Sequence, residues 1–338
     1  GVVLANTVID STGNAVIPAC IGAETQAIGG DHISVQGTGL PPVTPAQSYM
    51  NSDWTFVDDD DVIDMWRMFL VGKTKYSGSY DMGQLIDSRA RRRIVGDIII
   101  SPMDIYNQRT FPDTITQAMS NFDNHGFSSH SLFMIVPPDH GKLWCNIPYR
   151  ALLPKGWDGL LVTGLGISAH GDAMPVVRMQ PDVQNQGYAA GLAAAMAARD
   201  GTTVRGIDVK ELQRHLVDKG ILSESVLTDT DSYPMPESVV AEAVSKLDTG
   251  YEGIPVIMAS VETALPFLRE GYANAPDIDA RLRYAHVLGM LHDSTGADAL
   301  IEAISNSEWD EGWRFRGMGQ FGATTSPLDN LIVALSRT

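Results

Sequence analysis

His125 stands two residues after Asp123, a spacing that lets a carboxylate orient or charge an imidazole, and this makes it the first candidate for moving a proton. Arg91, Arg92 and the pair Tyr149-Arg150 offer forked N–H donors and a phenol, the groups that grip a carboxylate or another oxygen-rich small molecule. The catalytic and substrate-holding candidates are therefore His125, Arg92, Tyr149 and Arg150. For each taken singly, a structural salt bridge or a solvated surface group is the plainer alternative. His125, His130 and His140 with Asp139 would suffice for a metal by count, but their irregular spacing argues against it and no metal site is expected. Cys20 and Cys145 are the only cysteines, and without a C-x-x-C pair they suggest neither a disulfide framework nor a thiolate zinc site.

Such residues need a frame. Residues 159–164, Gly-Leu-Leu-Val-Thr-Gly, read as a buried strand ending on glycine, followed by a loop and a small-residue helix from about Pro181 to Asp200. Proline at the start of that helix leaves unpaired N–H groups pointing at whatever lies before it, and Gly187 and Gly191, four apart, would permit close packing on a sheet. At the other end, Gly1 to Asp10 read as a strand interior that turns at Thr12-Gly13, with a short helix through Ala15 to Ala23. Strand, Gly turn and tightly packed helix form the recurring unit of dinucleotide-binding folds, so residues 1–28 and about 155–200 are expected in one layer.

The stretch between reads differently. From about Gly29 to Pro45 the composition turns to Gly, Pro, Ser and Thr. Asp58 to Asp61 precede an apolar face at helical spacing, Val62, Ile63, Met65, Trp66 and Phe69, where acidic residues complement the helix dipole; this reading is preferred to a calcium site. Arg89 to Arg93 open a strand-like run, Ile94 to Ile100. An amphipathic helix, then Asp123-Asn124-His125-Gly126 and a strand-rich stretch, are expected between Asp113 and Ile147.

No G-x-G-x-x-G stands between a strand and a helix, where it would cradle a pyrophosphate. Gly317 to Gly322 match the letters but lie in a helical tail and read as a connection between repeats. Gly164 to Ala169 fit a looser form that does not continue as a helix. Gly37-Thr38-Gly39 runs into Leu40-Pro41-Pro42, which excludes a helix start.

Several blocks, in order, carry a resemblance: Thr7 to Ala15, Arg92-Arg93-Ile94-Val95-Gly96-Asp97, Phe111-Pro112-Asp113, Asp123-Asn124-His125, Ile147 to Pro154, Leu161 to Ser168, Arg178-Met179-Gln180-Pro181 and Gly187-Tyr188-Ala189-Ala190-Gly191. Together they resemble the FAD-dependent oxidoreductases of the glutathione-reductase-like class found in bacteria, some with HEAT-like repeats appended. The resemblance implies FAD as cofactor, touched by Thr12, Gly13, Gly164, Leu165, Ile167, Ser168, Arg178, Gln180, Pro181 and Gly187, with the pyrimidine end of the isoalloxazine near the helix that starts at Pro181. Two positions depart from the family's pattern: Leu165 replaces an arginine and Asn14 an aspartate, which puts side-chain contacts to the ribityl or phosphate groups in doubt.

The expected fold class is α/β, an incomplete three-layer FAD-binding domain with an inserted α+β substrate domain and a C-terminal all-α helical-repeat region. The divisions are 1–28 for the first part of the FAD domain, 29–154 for the substrate or cap domain, 155–235 for its return with linking helices, and 236–338 for HEAT-like repeats. In that last part Leu282, Leu288, Leu291, Leu300 and Ile304 are expected between layers. The chain is expected to be the C-terminal part of a longer protein, or one chain of a two-chain flavoenzyme whose partner supplies the nucleotide loop, and to bind FAD weakly by itself.

A net charge of -17 and a pI near 4.7 disfavour nucleic acid and anionic membranes, which such a field repels. The alanine-rich run Ala189 to Ala198 is roughly half of what a membrane span needs. No secretory leader is read at the start, so a soluble protein is expected, cytoplasmic or periplasmic. These readings converge on a flavin-dependent dehydrogenase or oxidase that takes a hydride from a small polar molecule. The alternative is a helical-repeat scaffold, with a protein partner on its repeats, in which the flavin fold is degenerate.

Overall fold

A computed structural model describes residues 1–28, 58, 61–75, 91–122, 128–136, 141–308 and 326–338. Two short β-branched and aliphatic runs form its central pairing. Strand β1 (Val8–Asp10) lies parallel to β6 (Leu160–Val162), with Val8 opposite Leu160, Ile9 opposite Leu161 and Asp10 opposite Val162. Leu160, Leu161 and Val162 are buried, as expected where helices cover parallel strands. The strand is shorter than its sequence suggested. Val2, Val3 and Leu4 are about 90% exposed and unpaired among the described residues, so apolar character there does not make a strand.

After β1 come helix α1 (Val16–Cys20) and strand β2 (Thr25–Ile28), which pairs antiparallel with β3 (Arg91–Ile94). Helix α2 (Val62–Lys75) forms where the acidic run precedes an apolar face. The strand expected over 94–100 sits earlier, because Gly96 makes only an isolated bridge to Pro154 and the chain then bends at Asp97 and Ile98. A Cβ on Gly96 would lie 2.8 Å from Ser168 Cβ and 3.1 Å from the Leu153 carbonyl, and only an isolated bridge joins Ile100 to Ala169 further on.

Helix α3 (Pro102–Tyr106) starts on a capping box, Ser101 with Asp104, and Pro102 fits its first turn. The amphipathic helix expected after Asp113 is instead strand β4 (Thr114–Ser120), antiparallel to β5 (Leu143–Pro148). Thr114, Ile115 and Thr116 are fully buried, and three successive β-branched residues pack better on a pleated surface than on a helix. Between them lies α4 (Leu132–Ile135). Beyond β6 follow α5 (Met174–Val177), the long α6 (Gln180–Asp200) ending on left-handed Gly201, and α7 (Val209–Asp218), capped by Asp208.

The remaining described residues are helices and turns: α8 (Glu237–Ser245), α9 (Ile254–Ala259), α10 (Val261–Ala273), α11 (Ile278–Met290), α12 (Ala297–Ser305) and α13 (Pro327–Ser336). Leu288 and Leu300 are fully buried in this second core, with Leu282 and Leu291 packed against it. Contact is close where α11 meets α13, since a Cβ on Gly289 would lie 2.7 Å from the Ala334 carbonyl oxygen. Arg109 fastens the segment that leads into α8 to the α/β core. Its guanidinium grips Asp231 through Nε (2.9 Å) and Nη2 (3.0 Å) and Asp104 through Nη1 (3.1 Å), stacked between Phe111 and Tyr233. Among the described residues no helix is long and apolar enough to cross a membrane.

Candidate flavin-side site

The parallel pairing of β1 and β6 puts the turns that follow both strands at the same end, the end where open α/β sheets bind ligands. After β1, the Asp10 carboxylate accepts from Thr12 N (2.8 Å), Thr12 Oγ1 (2.7 Å) and Ile17 N (2.9 Å), which closes the turn. Gly13 takes a φ of +72°, a conformation that L side chains resist. Across the pair, Thr163 N donates to the Asp10 carbonyl (3.0 Å) and the Ser11 and Thr163 hydroxyls lie 2.9 Å apart.

Gly164 then turns with φ +71°, and its N–H donates to Gln186 Oε1 (3.0 Å). Gln186, fully buried on α6, donates in turn to the Val177 carbonyl (3.1 Å), so one side chain fixes strand end, α5 and α6. Leu165 lies over Gly13, where a Cβ would be 3.8 Å from Leu165 Cδ1; Gly166 abuts Ala15. Ile167 is buried, and Ser168 Oγ accepts from Gly96 N (2.9 Å). Thr12, Gly13, Gly164, Leu165, Ile167 and Ser168 are therefore gathered in one place.

Gln180 and Pro181 occupy the first turn of α6, just after the half-buried Arg178, and the cap residue Met179 supplies no side-chain hydrogen bond. The amides of that turn have no side-chain cap. Gly187 does not pack as its spacing suggested. It is exposed, and a Cβ on Gly187 or Gly191 would meet nothing within 4 Å. The bond from Gly164 to Gln186 sets the rotation of α6, so Gln186, Ala189, Ala190 and Ala193 turn inward instead.

The substrate-holding candidates fare unevenly. Tyr149 is buried and its hydroxyl donates to the Val204 carbonyl (2.7 Å). The Arg150 fork is taken by Asp113, Nε to Oδ2 and Nη2 to Oδ1, both 3.0 Å. Both side chains thus serve the scaffold, although their segment borders the loop after β6, where Ser168 N donates to the Ala151 carbonyl (2.9 Å). Arg92 sits on β3 next to that turn, its N–H donating to Asn14 Oδ1 (2.5 Å); Asn14 accordingly ties the turn to β3. His125 lies outside the described residues, as do His140, Asp139 and residues 317–322.

Other residues gather where sequence reasoning did not look. Asp172, buried, accepts from Ser129 N (2.8 Å) and His130 N (2.6 Å), and its Oδ2 lies 3.8 Å from His170 Nδ1. The rings of His130 and His170 meet edge to face with centroids 5.0 Å apart. Burial, then the neighbouring His170, pushes His130 down to about 4, against the pull of Asp172. Arg93, 4% exposed, is drawn down to about 10 by burial, which the Asp172 carboxylate opposes. The available signal was the pattern His170-Gly171-Asp172 just past the Ser168 block, with His130 weighed only as a metal ligand. Among the described residues no group of His, Cys, Asp and Glu side chains is arranged to hold a metal.

Residues 66–216 match the family model described as FAD dependent oxidoreductase, a span that holds β3, the His130–Asp172 cluster, the loop after β6 and α6. Comparison with curated proteins and with solved structures gives no match. Over residues 66–216, then, the match supports an FAD-dependent oxidoreductase domain, and the cofactor that this family indicates is FAD.

Proposed function

We propose that this chain builds the isoalloxazine side of a flavin site and that the enzyme is a dehydrogenase or oxidase taking a hydride from a small polar organic molecule. The observation that carries this reading is the convergence of Gly13 and Gly164, both at positive φ, with the uncapped first turn of α6 at the carboxyl end of one parallel strand pair. Glycines there let a planar ligand approach backbone closely, and the open helix turn offers N–H groups and a positive dipole end. That suits the part of a flavin that gains negative charge on reduction. FAD, when bound, supplies the hydride acceptor; the chain's part is to position and exclude water. Thr12, Gly13, Gly164, Leu165, Ile167 and Ser168 would form one wall, with Arg178, Gln180 and Pro181 at the helix end. Gly187 faces away from this wall and is not among its contacts.

The two departures from the family pattern have scaffold roles that leave this wall intact: Asn14 binds the Arg92 amide, and Leu165 fills the space over Gly13. They also favour the rival reading, a degenerate flavin fold that serves as a helical-repeat scaffold. Titrating FAD into the purified chain while following flavin fluorescence separates the two. Saturable quenching that Gly164→Val weakens supports the enzyme, and no quenching at any concentration supports the scaffold.

A further inference from the structure

The buried aspartates among the described residues accept hydrogen bonds, with one exception. Asp10 is bonded by Thr12 and Ile17, Asp104 by Ser101 and Arg109, Asp113 by Arg150, Asp172 by Ser129 and His130, and Asp293 by Arg269 and Thr295. Asp182 is different. It is 8% exposed, its Oδ2 is enclosed without a hydrogen-bond partner, and burial pushes its carboxyl up to about 6. Enclosing a carboxylate without donors is costly, and an asparagine of the same size would avoid that cost.

Asp182 stands in the first turn of α6 and shares the buried face of that helix with Gln186, one turn further on. Gln186 Oε1 accepts the Gly164 amide at 3.0 Å, and Val183 Cγ1 lies 3.4 Å from where a Cβ on Gly164 would be. Helical side chains lean toward the helix N-terminus, so the Asp182 carboxyl leans from this face toward the open end of α6, beside the glycine. The same turn offers the amides of Gln180 and Asp182 as donors, Pro181 having none. The start of α6 thus combines donors with one group that, when ionised, only accepts. The pyrimidine edge of a flavin has the complementary set, two carbonyl acceptors flanking the single N–H at N3.

We infer that Asp182 accepts a hydrogen bond from the N3–H of the flavin ring at the start of α6. This deepens the function proposed above and rests on it for the cofactor. An N–H or O–H of a substrate would suit the same oxygen, so the test separates the two sources.

Wild type, Asp182→Asn and Asp182→Leu are titrated at about pH 8 with FAD and with FAD methylated at N3, following flavin fluorescence, and each protein is melted without ligand. Wild type should prefer FAD to the methylated form at least about tenfold, as expected for one hydrogen bond to a charged group. Asp182→Leu should bind the two flavins alike, and Asp182→Asn, which keeps one acceptor oxygen, should retain part of the preference. Neither variant should melt below wild type, since each removes an enclosed charge. Equal binding of the two flavins by wild type would overturn the assignment to N3 and leave the oxygen to a substrate donor. A preference that survives in Asp182→Leu would overturn it as well. So would a lower melting point with equal losses for both flavins, which would make Asp182 structural; all three results leave the flavin reading in place. Failure of wild type to bind either flavin would remove that reading, and the inference with it.

Discussion

Two buried charges, Asp10 at the end of β1 and Arg93 on β3, have different surroundings. Asp10 is 1% exposed and both its oxygens are occupied, by Thr12 N and Oγ1 on one side and Ile17 N on the other. Arg93 is about as deeply buried, yet its Nε has no hydrogen-bond partner. A buried charge whose hydrogen bonds are complete holds a fold together. One left incomplete is costly to bury, and Arg93 shares this with the buried Thr116 Oγ1, Asp182 Oδ2, Gln213 Oε1 and His286 Nε2. The contrast extends to Arg150 and Tyr149, whose closed partnerships with Asp113 and Val204 place them on the scaffold side.

The largest effect should come from Asp10→Ala. Hydrogen bonds to a charged group contribute about 1.5–3 kcal/mol each, and three are lost, although Thr12 and Ile17 retain some access to water. A loss of about 3 kcal/mol in chemical denaturation is expected, and a variant as stable as wild type would remove Asp10 from the scaffold. Gly164→Val comes next, at about 1–3 kcal/mol, because a β-branched residue is strained at φ +71° and its Cβ would crowd Val183 at 3.4 Å. Its flavin affinity should fall further than its stability. Equal affinity in the two proteins would separate the glycine from the cofactor.

Acid should weaken the fold through its buried histidines. His130 and His286 are both pushed from 6.5 to about 4 by burial, so below 6.5 the unfolded chain binds more protons than the folded one. Their contribution to stability is complete above pH 6.5 and is lost as pH falls toward 4. Asp182, raised to about 6 by burial, works in the opposite sense: its penalty grows as pH rises from 3.8 to 6. Denaturation midpoints between pH 7 and 4 should fall, and His286→Leu should flatten the slope; an unchanged slope would mean His286 is charged or hydrated in the folded state. The smallest effect is expected for Arg93→Met, whose ligand-free melting point should match or exceed that of wild type.

What the sequence revealed was what is local. A buried apolar run ending on glycine and a small-residue helix with proline at its start mark β6 and α6 without knowledge of anything distant, and Gly13 and Gly164 stand where left-handed backbone is needed. What it hid depends on register and rotation. In Arg91-Arg92-Arg93 the choice of which side chain is buried is made by pairing with β2, where Arg93 stands opposite Gln26. Sequence reasoning chose Arg92. Gly187 and Gly191 have the spacing of a packed face, but the bond from Gly164 N to Gln186 rotates them outward. Thr114 to Thr116 lack a clear period because β4 is buried on both faces there, so strand and helix were hard to tell apart.

Amide hydrogen exchange with and without FAD tests the flavin wall most directly, since it reads backbone protection residue by residue. Slowed exchange on adding FAD is expected at residues 163–168 and in the first turn of α6, around 180–183, with the helices beyond residue 236 unchanged. Bound FAD that leaves both segments exchanging as before, or protects only the helical region, would contradict the site.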